Sequence, residues 1–240
     1  STQVMDPEID GDLESIIEHR ITHLRAYQDS ALARRYSELV ARTRSAETSL
    51  AAGAEALTRA VAQSYSKLLA YKDEYEVARL YSDGRWLAKL EQRFDGDFKL
   101  TYLMAPSYLG VKTGNAKRRF GPWMRVVLQL LAGLKGLRGT PFDPFGYSAE
   151  RRDERWMIGH FESVLGELLD GLGTDNVALA ARIAALPMTV KGYGHVKRNA
   201  MRAMLETERE LLEAFRRPPE TVVVFDPRKV KSSDANRHAT

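Results

Sequence analysis

The sequence predicts a mainly α protein with a small β element. Three observations lead there. Apolar residues recur at spacings of three and four through most of the 240 positions, the period of a helix with one buried face. Strand-like alternation is confined to the segment around Phe98, Leu100 and Tyr102 and to the run 222–225. No apolar run reaches the roughly 18 residues that a membrane-spanning helix requires.

Asp10 and Asp12 offer N-cap chemistry ahead of Leu13, Ile17, Ile21, Leu24, Tyr27 and Ala31, which share one helical face. The pattern runs on to Val40, as one long helix or two joined ones, and Gly53 sits near a break. Leu57, Val61, Tyr65, Leu68, Tyr75 and Ala78 keep helical period in a second stretch. Asp83-Gly84 is a turn signal, and Trp86, Leu87, Leu90 and Phe94 mark a short helix. After Asp95-Gly96, the alternation of Phe98, Leu100 and Tyr102 with Lys99 and Thr101 predicts a strand. A lone strand leaves its ladder unsatisfied, so a small sheet is expected, completed elsewhere in the chain or by a partner.

Residues 106–120 read as a loop, with Gly110, Gly114, Asn115 and the basic cluster Lys117-Arg118-Arg119. A helix starting near Pro122 is expected to bury Trp123, Val126, Val127, Leu130 and Leu131, and to fray at Gly133, Gly136 and Gly139. Pro141, Pro144 and Gly146 make 141–147 irregular. Ser148 then caps a helix to about Leu169, another helix spans 175–186, and a last one opens near Gly194 and ends before Pro218-Pro219. The expected organisation is a flexible tail over 1–12, one helical domain over 13–217, and a short strand with a flexible tail over 218–240. A division into two subdomains near 106–120 is the alternative.

Charge and composition narrow the function. There are 36 Lys and Arg, 32 Asp and Glu, and no Cys, for a net charge of +4. That balance favours acidic partners but carries no nucleic-acid motif. Without Cys, the chain forms no disulfide, thiolate zinc site or iron–sulfur ligation of its own. A cytoplasmic setting is expected, since residues 1–11 are acidic and polar and do not read as a signal peptide.

His19 and His23 have the spacing of two metal ligands on a helix. Arg20 stands where a metalloprotease needs Glu, and no third ligand is evident, so surface histidines are the better reading. Gly192-Tyr193-Gly194 and the Gly133/Gly136/Gly139 series match neither dinucleotide nor Walker spacing. The charged and aromatic segment 71–81 reads first as a helix with local i,i+3 ion pairs, and second as an interface or site wall. Lys112, Lys117, Arg118 and Arg119, with Lys135 and Arg138 further on, form a basic set suited to an acidic protein or a phosphorylated ligand. His195 with Lys197 and Arg198, after a glycine turn, could bind an anion at a helix start.

Several blocks together resemble a known family. They are Leu69-Ala70-Tyr71-Lys72-Asp73-Glu74-Tyr75-Glu76-Val77-Ala78-Arg79-Leu80-Tyr81, Gly96-Asp97-Phe98-Lys99-Leu100 with Ala105-Pro106, and Phe120-Gly121-Pro122-Trp123-Met124. Then come Leu134-Lys135-Gly136-Leu137-Arg138-Gly139-Thr140, Phe142-Asp143-Pro144-Phe145-Gly146-Tyr147 with Glu150-Arg151-Arg152, and Lys191-Gly192-Tyr193-Gly194-His195-Val196-Lys197. In this order they look like the C-terminal region of bacterial indolepyruvate ferredoxin oxidoreductases, over roughly 17–215. The resemblance implies an enzyme that oxidatively decarboxylates aryl pyruvates to aryl-acetyl-CoA and passes electrons to ferredoxin. It implies thiamine diphosphate, Mg and iron–sulfur clusters held by other domains. The missing Cys and the lack of a Gly-Asp-Gly segment followed by Asn-Asn agree with that placement.

The chain is therefore expected to be an accessory domain with no catalytic or metal residues of its own. It would contact the catalytic domains or subunit, ferredoxin or CoA, and neither nucleic acid nor a membrane. The residues expected to make contacts are Lys72, Asp73, Glu74, Arg118, Arg119, Arg138, Asp143, His195 and Lys197. The alternative is a stand-alone helical module that binds an acidic partner.

Overall fold

A computed structural model describes residues 11–82, 84, 92, 100–104, 118–192 and 194–217. Nearly all of the expected short helix at Trp86 to Phe94, the strand start at Phe98, most of the expected loop, the strand at 222–225, residues 1–10 and the C-terminal tail lie outside the described residues.

Helix α1 (Leu13–Tyr27) starts where the Asp12 carboxylate accepts the Ser15 N–H at 2.8 Å. The stretch that follows is not one continuous helix. Asp29 adopts extended backbone and its carboxylate accepts the Leu32 N–H at 2.8 Å, so α2 (Ser30–Leu50) begins afresh. It also runs ten residues past Val40. Gly53 turns the chain with φ +81°, a conformation that favours glycine.

Helix α3 (Ala56–Leu69) has no cap of its own. Glu47 of α2 supplies one: its buried carboxylate accepts the Leu57 and Thr58 N–H groups at 2.8 Å each and the Thr58 hydroxyl at 2.6 Å. The periodic stretch 57–78 then breaks. Tyr71, Lys72 and Asp73 are non-helical, and α4 (Glu74–Ser82) starts where Asp73 accepts the Glu76 N–H at 2.8 Å.

Strand β1 (Tyr102–Met104) pairs antiparallel with β2 (Arg118–Phe120), Tyr102 opposite Phe120. The ladder partner thus comes from within the chain, from the end of the segment expected to be all loop. Helix α5 (Met124–Gly133) passes into a 3-10 turn (Leu134–Leu137) and an irregular stretch. Ser148 caps α6 (Ala149–Asp170), accepting the Arg151 N–H at 3.2 Å. Then follow α7 (Val177–Ala185), a 3-10 turn (Leu186–Thr189) and α8 (Gly194–Phe215).

Two apolar clusters form. The larger gathers α1, α2, α3, α6, α7 and α8, with α3 at its centre and Leu57, Val61, Ala62 and Tyr65 fully buried. Tyr36 and Tyr65 stack, as do Tyr65 and Phe161, with centroids 6.1 and 5.8 Å apart. Lys67 ties α3 to the second 3-10 turn, donating to the carbonyls of Pro187, Met188 and Val190 at 2.9–3.1 Å. The smaller cluster joins Ala78 of α4, Tyr102 of the hairpin, and Met124 and Leu128 of α5.

Helix α5 corrects the expectation of its buried face. Met124 and Leu128 face inward, and Leu131 packs partly against them. Trp123, Val126, Val127 and Leu130 face outward. The helix is apolar on nearly every side, so its periodicity alone could not choose a face; α4 and the hairpin cover the one that carries Met124. No helix among the described residues is long and apolar enough to cross a membrane.

Removing the borrowed cap tests this frame. Glu47→Ala leaves two N–H groups of α3 buried without an acceptor and should cost about 2–4 kcal/mol. Urea unfolding should show a lower midpoint with the same m-value; an unchanged midpoint would contradict the borrowed cap.

Candidate functional site

The polar residues of the segment 71–76 lie between the two apolar clusters. Tyr71 packs against the larger cluster and Ala78 belongs to the smaller, so Asp73, Glu74 and Tyr75 occupy the seam. Asp73 is buried and has two tasks. One oxygen caps α4, and both receive Arg138, whose Nη2 donates to Oδ1 at 3.0 Å and whose Nε bonds Oδ2. Arg138 reaches in from the end of the first 3-10 turn, and its Nη1 donates to the Tyr27 carbonyl at 3.0 Å and to the Gln28 side chain. Its guanidinium carbon lies 3.8 Å from the centroid of the Tyr27 ring, a close cation–π contact. The Tyr27 hydroxyl donates to the Tyr71 carbonyl at 2.9 Å.

A second layer surrounds Asp143. Its carboxylate accepts the Tyr75 hydroxyl at 3.1 Å, the Gly139 N–H at 2.9 Å and the Phe145 N–H at 3.1 Å. The irregular stretch is therefore wound around one buried carboxylate. Gly146 is required there, because a Cβ would come within 2.8 Å of Asp143 Oδ2. Phe145 meets Tyr75 edge-on, centroids 5.4 Å apart, and Arg155 donates to the Gly146 carbonyl at 2.7 Å.

The third layer lies on α6. Arg151 is buried and pairs with Glu154, donates to the Lys72 carbonyl at 3.3 Å, and stands 3.5 Å from Glu74 Oε2. Lys197 of α8 closes on the other Glu154 oxygen at 2.6 Å. Glu74 Oε2 is buried and accepts no hydrogen bond in the structure; the Arg151 approach is an ion pair of poor hydrogen-bond length.

The electrostatics follow from burial. Burial raises the Tyr27 hydroxyl far above its ordinary range, and the Asp73 charge raises it further. Burial works against the Arg138 charge, but the Asp73 hydrogen bond together with the Asp73 charge and the neighbouring Tyr27 and Tyr71 outweighs it, and the guanidinium is held more firmly charged than usual. Burial pushes Glu74 up, and Arg151 only partly offsets this. Burial pushes Glu76 up as well, but the two Arg79 hydrogen bonds and the Arg79 charge, with His23 close by, win and hold it at about 2. His23 lies 3.7 Å from Glu76, on the half-buried side of α1.

The expected contact residues divide into two groups. Asp73, Glu74, Arg138, Asp143 and Lys197 join the network, and Lys72 contributes its carbonyl to it. Arg138 therefore does not extend an exposed basic cluster; the buried Asp73 carboxylate draws it inward. Arg119 is exposed on β2 and His195 is exposed at the start of α8, and neither is part of the network. Arg118 sits in β2, while Lys112 and Lys117 lie outside the described residues. Tyr27, Tyr75, Arg151 and Glu154 belong to the network without being among the expected contact residues, although Tyr75 and Arg151 lie inside the resemblance blocks. Among the described residues no group of three or more His, Asp or Glu side chains could hold a metal ion.

Chemically, the network is closed on itself. Arg138 Nε, Nη1 and Nη2 all donate to protein acceptors, and both Asp73 oxygens are engaged, so this guanidinium offers no free fork to a phosphate. Fold and site together define a helical domain organised by a buried ionic and aromatic seam. The chain belongs to DUF6537, a family of unknown function, whose model matches residues 13–210. Comparison with curated proteins and with solved structures finds no match.

Arg138→Met strands Asp73 as a buried, unpaired carboxylate and should cost about 3–5 kcal/mol. Arg138→Lys should recover only part of that, since one ammonium cannot bond both oxygens and cover Tyr27. A denaturation midpoint within experimental error of the parent in either variant would refute the seam as a structural hub. Glu76 sets an acid limit. Its folded carboxyl titrates at about 2, below the ordinary 4.5. The contribution is complete above pH 4.5 and is lost as pH falls toward 2. Glu76→Gln should flatten the fall in stability over that window.

Proposed function

We propose that this chain is a helical accessory domain of an indolepyruvate ferredoxin oxidoreductase and that it serves there as a scaffold. In this reading, thiamine diphosphate, Mg and the iron–sulfur clusters reside in the catalytic parts, which turn an aryl pyruvate into aryl-acetyl-CoA and reduce ferredoxin. The domain holds those parts in register and supplies no catalytic group.

One observation carries the scaffold role over a ligand role. The charged and tyrosine side chains that the resemblance blocks place in the seam are engaged with one another: Asp73 with Arg138, Tyr75 with Asp143, Arg151 with Glu154. Groups saturated in this way stabilise a shape and leave little to offer a substrate.

A second reading rests on the basic segment. Arg119 is exposed on β2, where it could meet CoA phosphates or an acidic ferredoxin. Arg118→Glu with Arg119→Glu should then raise the KM for one of them several-fold; unchanged values for both would remove this reading.

The scaffold is tested by comparing the full enzyme with a version lacking these 240 residues. Reduction of ferredoxin and of a small artificial dye would be followed, together with the size of each assembly. Loss of both activities with a dissociated complex is the expected result. Surviving dye reduction in an intact assembly that no longer reduces ferredoxin would replace the scaffold by acceptor docking. Full retention of both activities would overturn both roles.

A further inference from the structure

The outward face of α5 is an exposed apolar stripe. Trp123, Val126, Val127 and Leu130, continued by Leu134, follow spacings of three and four, and span an arc of about 100° at 100° per residue. Trp123 and Val126 are each 59% exposed and Leu130 is 68% exposed. Met124 and Leu128, on a different arc, are the side that packs against α4 and the hairpin. Only Arg125 and Gln129 interrupt the apolar surface of the helix between Met124 and Leu131. A helix apolar on so many sides is ordinarily enclosed.

The charge of β2, α5 and the turn after it has one sign. Residues 118–142 contain five Lys or Arg and no Asp or Glu. One of the five, Arg138, is turned inward onto Asp73, which leaves four cations on this stretch with no carboxylate among them. Arg119 on β2, directly preceding the chain's entry to α5, is exposed.

We propose that this face of α5 docks an acidic protein surface bearing its own apolar patch, with Trp123, Val126 and Leu130 at the centre and Arg119 and Arg125 at the rim. This rests on the reading that the domain acts by docking, and it names the surface. An aromatic and aliphatic centre with an arginine rim is the make-up of a protein interface. The lack of any acidic group over residues 118–142 favours a carboxylate-bearing partner and would repel a basic one. A lipid surface fits less well, because the exposed flank of α5 carries one Arg and one Gln where an interfacial helix carries several cations.

The test places p-benzoylphenylalanine at Val126 or Leu130 in the full-length host polypeptide, in the cell that makes it, with Glu210 on α8 as the control position. Irradiation should join positions 126 and 130, but not 210, to an acid-rich segment outside these 240 residues, mapped by mass spectrometry. Arg119→Glu with Arg125→Glu should reduce the yield at least fivefold, and reversing carboxylates of the joined segment to Lys should restore it. Both variants alter side chains that are not buried, so an unchanged denaturation midpoint shows that the fold persists. Crosslinks confined to this chain or a second copy of it, crosslinks to lipid, equal yield after charge reversal, or no crosslink above the control would each overturn the proposal. Because this experiment reads contact and not turnover, its failure leaves the enzyme assignment standing, and failure of the assignment leaves the contact standing.

Discussion

The buried pair of Asp73 and Arg138 is the constraint on which the rest depends. A carboxylate with 3% side-chain exposure is tolerable only with a full set of donors. Meeting that demand fixes four things together. It starts α4, by capping Glu76. It draws the turn after α5 back toward the chain between α3 and α4. It seats a guanidinium on the Tyr27 ring at the end of α1. It holds the Tyr27 carbonyl and Gln28, where α1 gives way to α2. The larger apolar cluster could form without this pair, but the smaller one would have no fixed position against it.

The same logic explains why Asp143 and Arg151 are buried nearby. Once Tyr75 is placed by the α4 cap, its hydroxyl requires a partner, and the Asp143 carboxylate supplies it while ordering the turn from Gly139 to Gly146. Arg151 meets the Lys72 carbonyl and Glu154, and Lys197 brings in α8. Each of these carboxylates is met by donors in its own layer, neutral ones for Asp143 and two cations for Glu154. Glu74 is the exception, a carboxylate raised by burial beside an arginine too distant to satisfy it.

The helices were largely legible because burial imposes its period on the sequence. Asp12 and Ser148 could be read as caps because a cap is local, fixed by residues three apart. The breaks after Tyr27 and Leu69 could not, because apolar period continues through both. What divides them is a side chain choosing the cap geometry, Asp29 in one case and Asp73 in the other. Glu47 was invisible for a different reason: it caps a helix to which it does not belong. The site was half legible. Asp73, Arg138 and Asp143 stood out by residue type, yet the pairing of positions 73 and 138 depends on a fold that brings together residues 65 positions apart. The basic residues looked like one cluster in sequence, and burial divided them, taking Arg138 inward and leaving Arg119 outside.

That division bears on function. A charge already engaged inside the protein contributes little to recognising another molecule, because its donors are occupied and its field is screened by its partner. Recognition then falls to groups left unbalanced at the surface. In this chain the imbalance and the exposed apolar area coincide on the hairpin and α5, while the quoted blocks around Asp73 hold the domain rigid behind them. Rigidity makes such a face useful: α5 is braced on its Met124 side by α4, so its outer stripe can meet a partner without first becoming ordered, and less binding energy is lost to conformational entropy. The buried seam and the exposed stripe are in this sense one device, the first setting the position of the second.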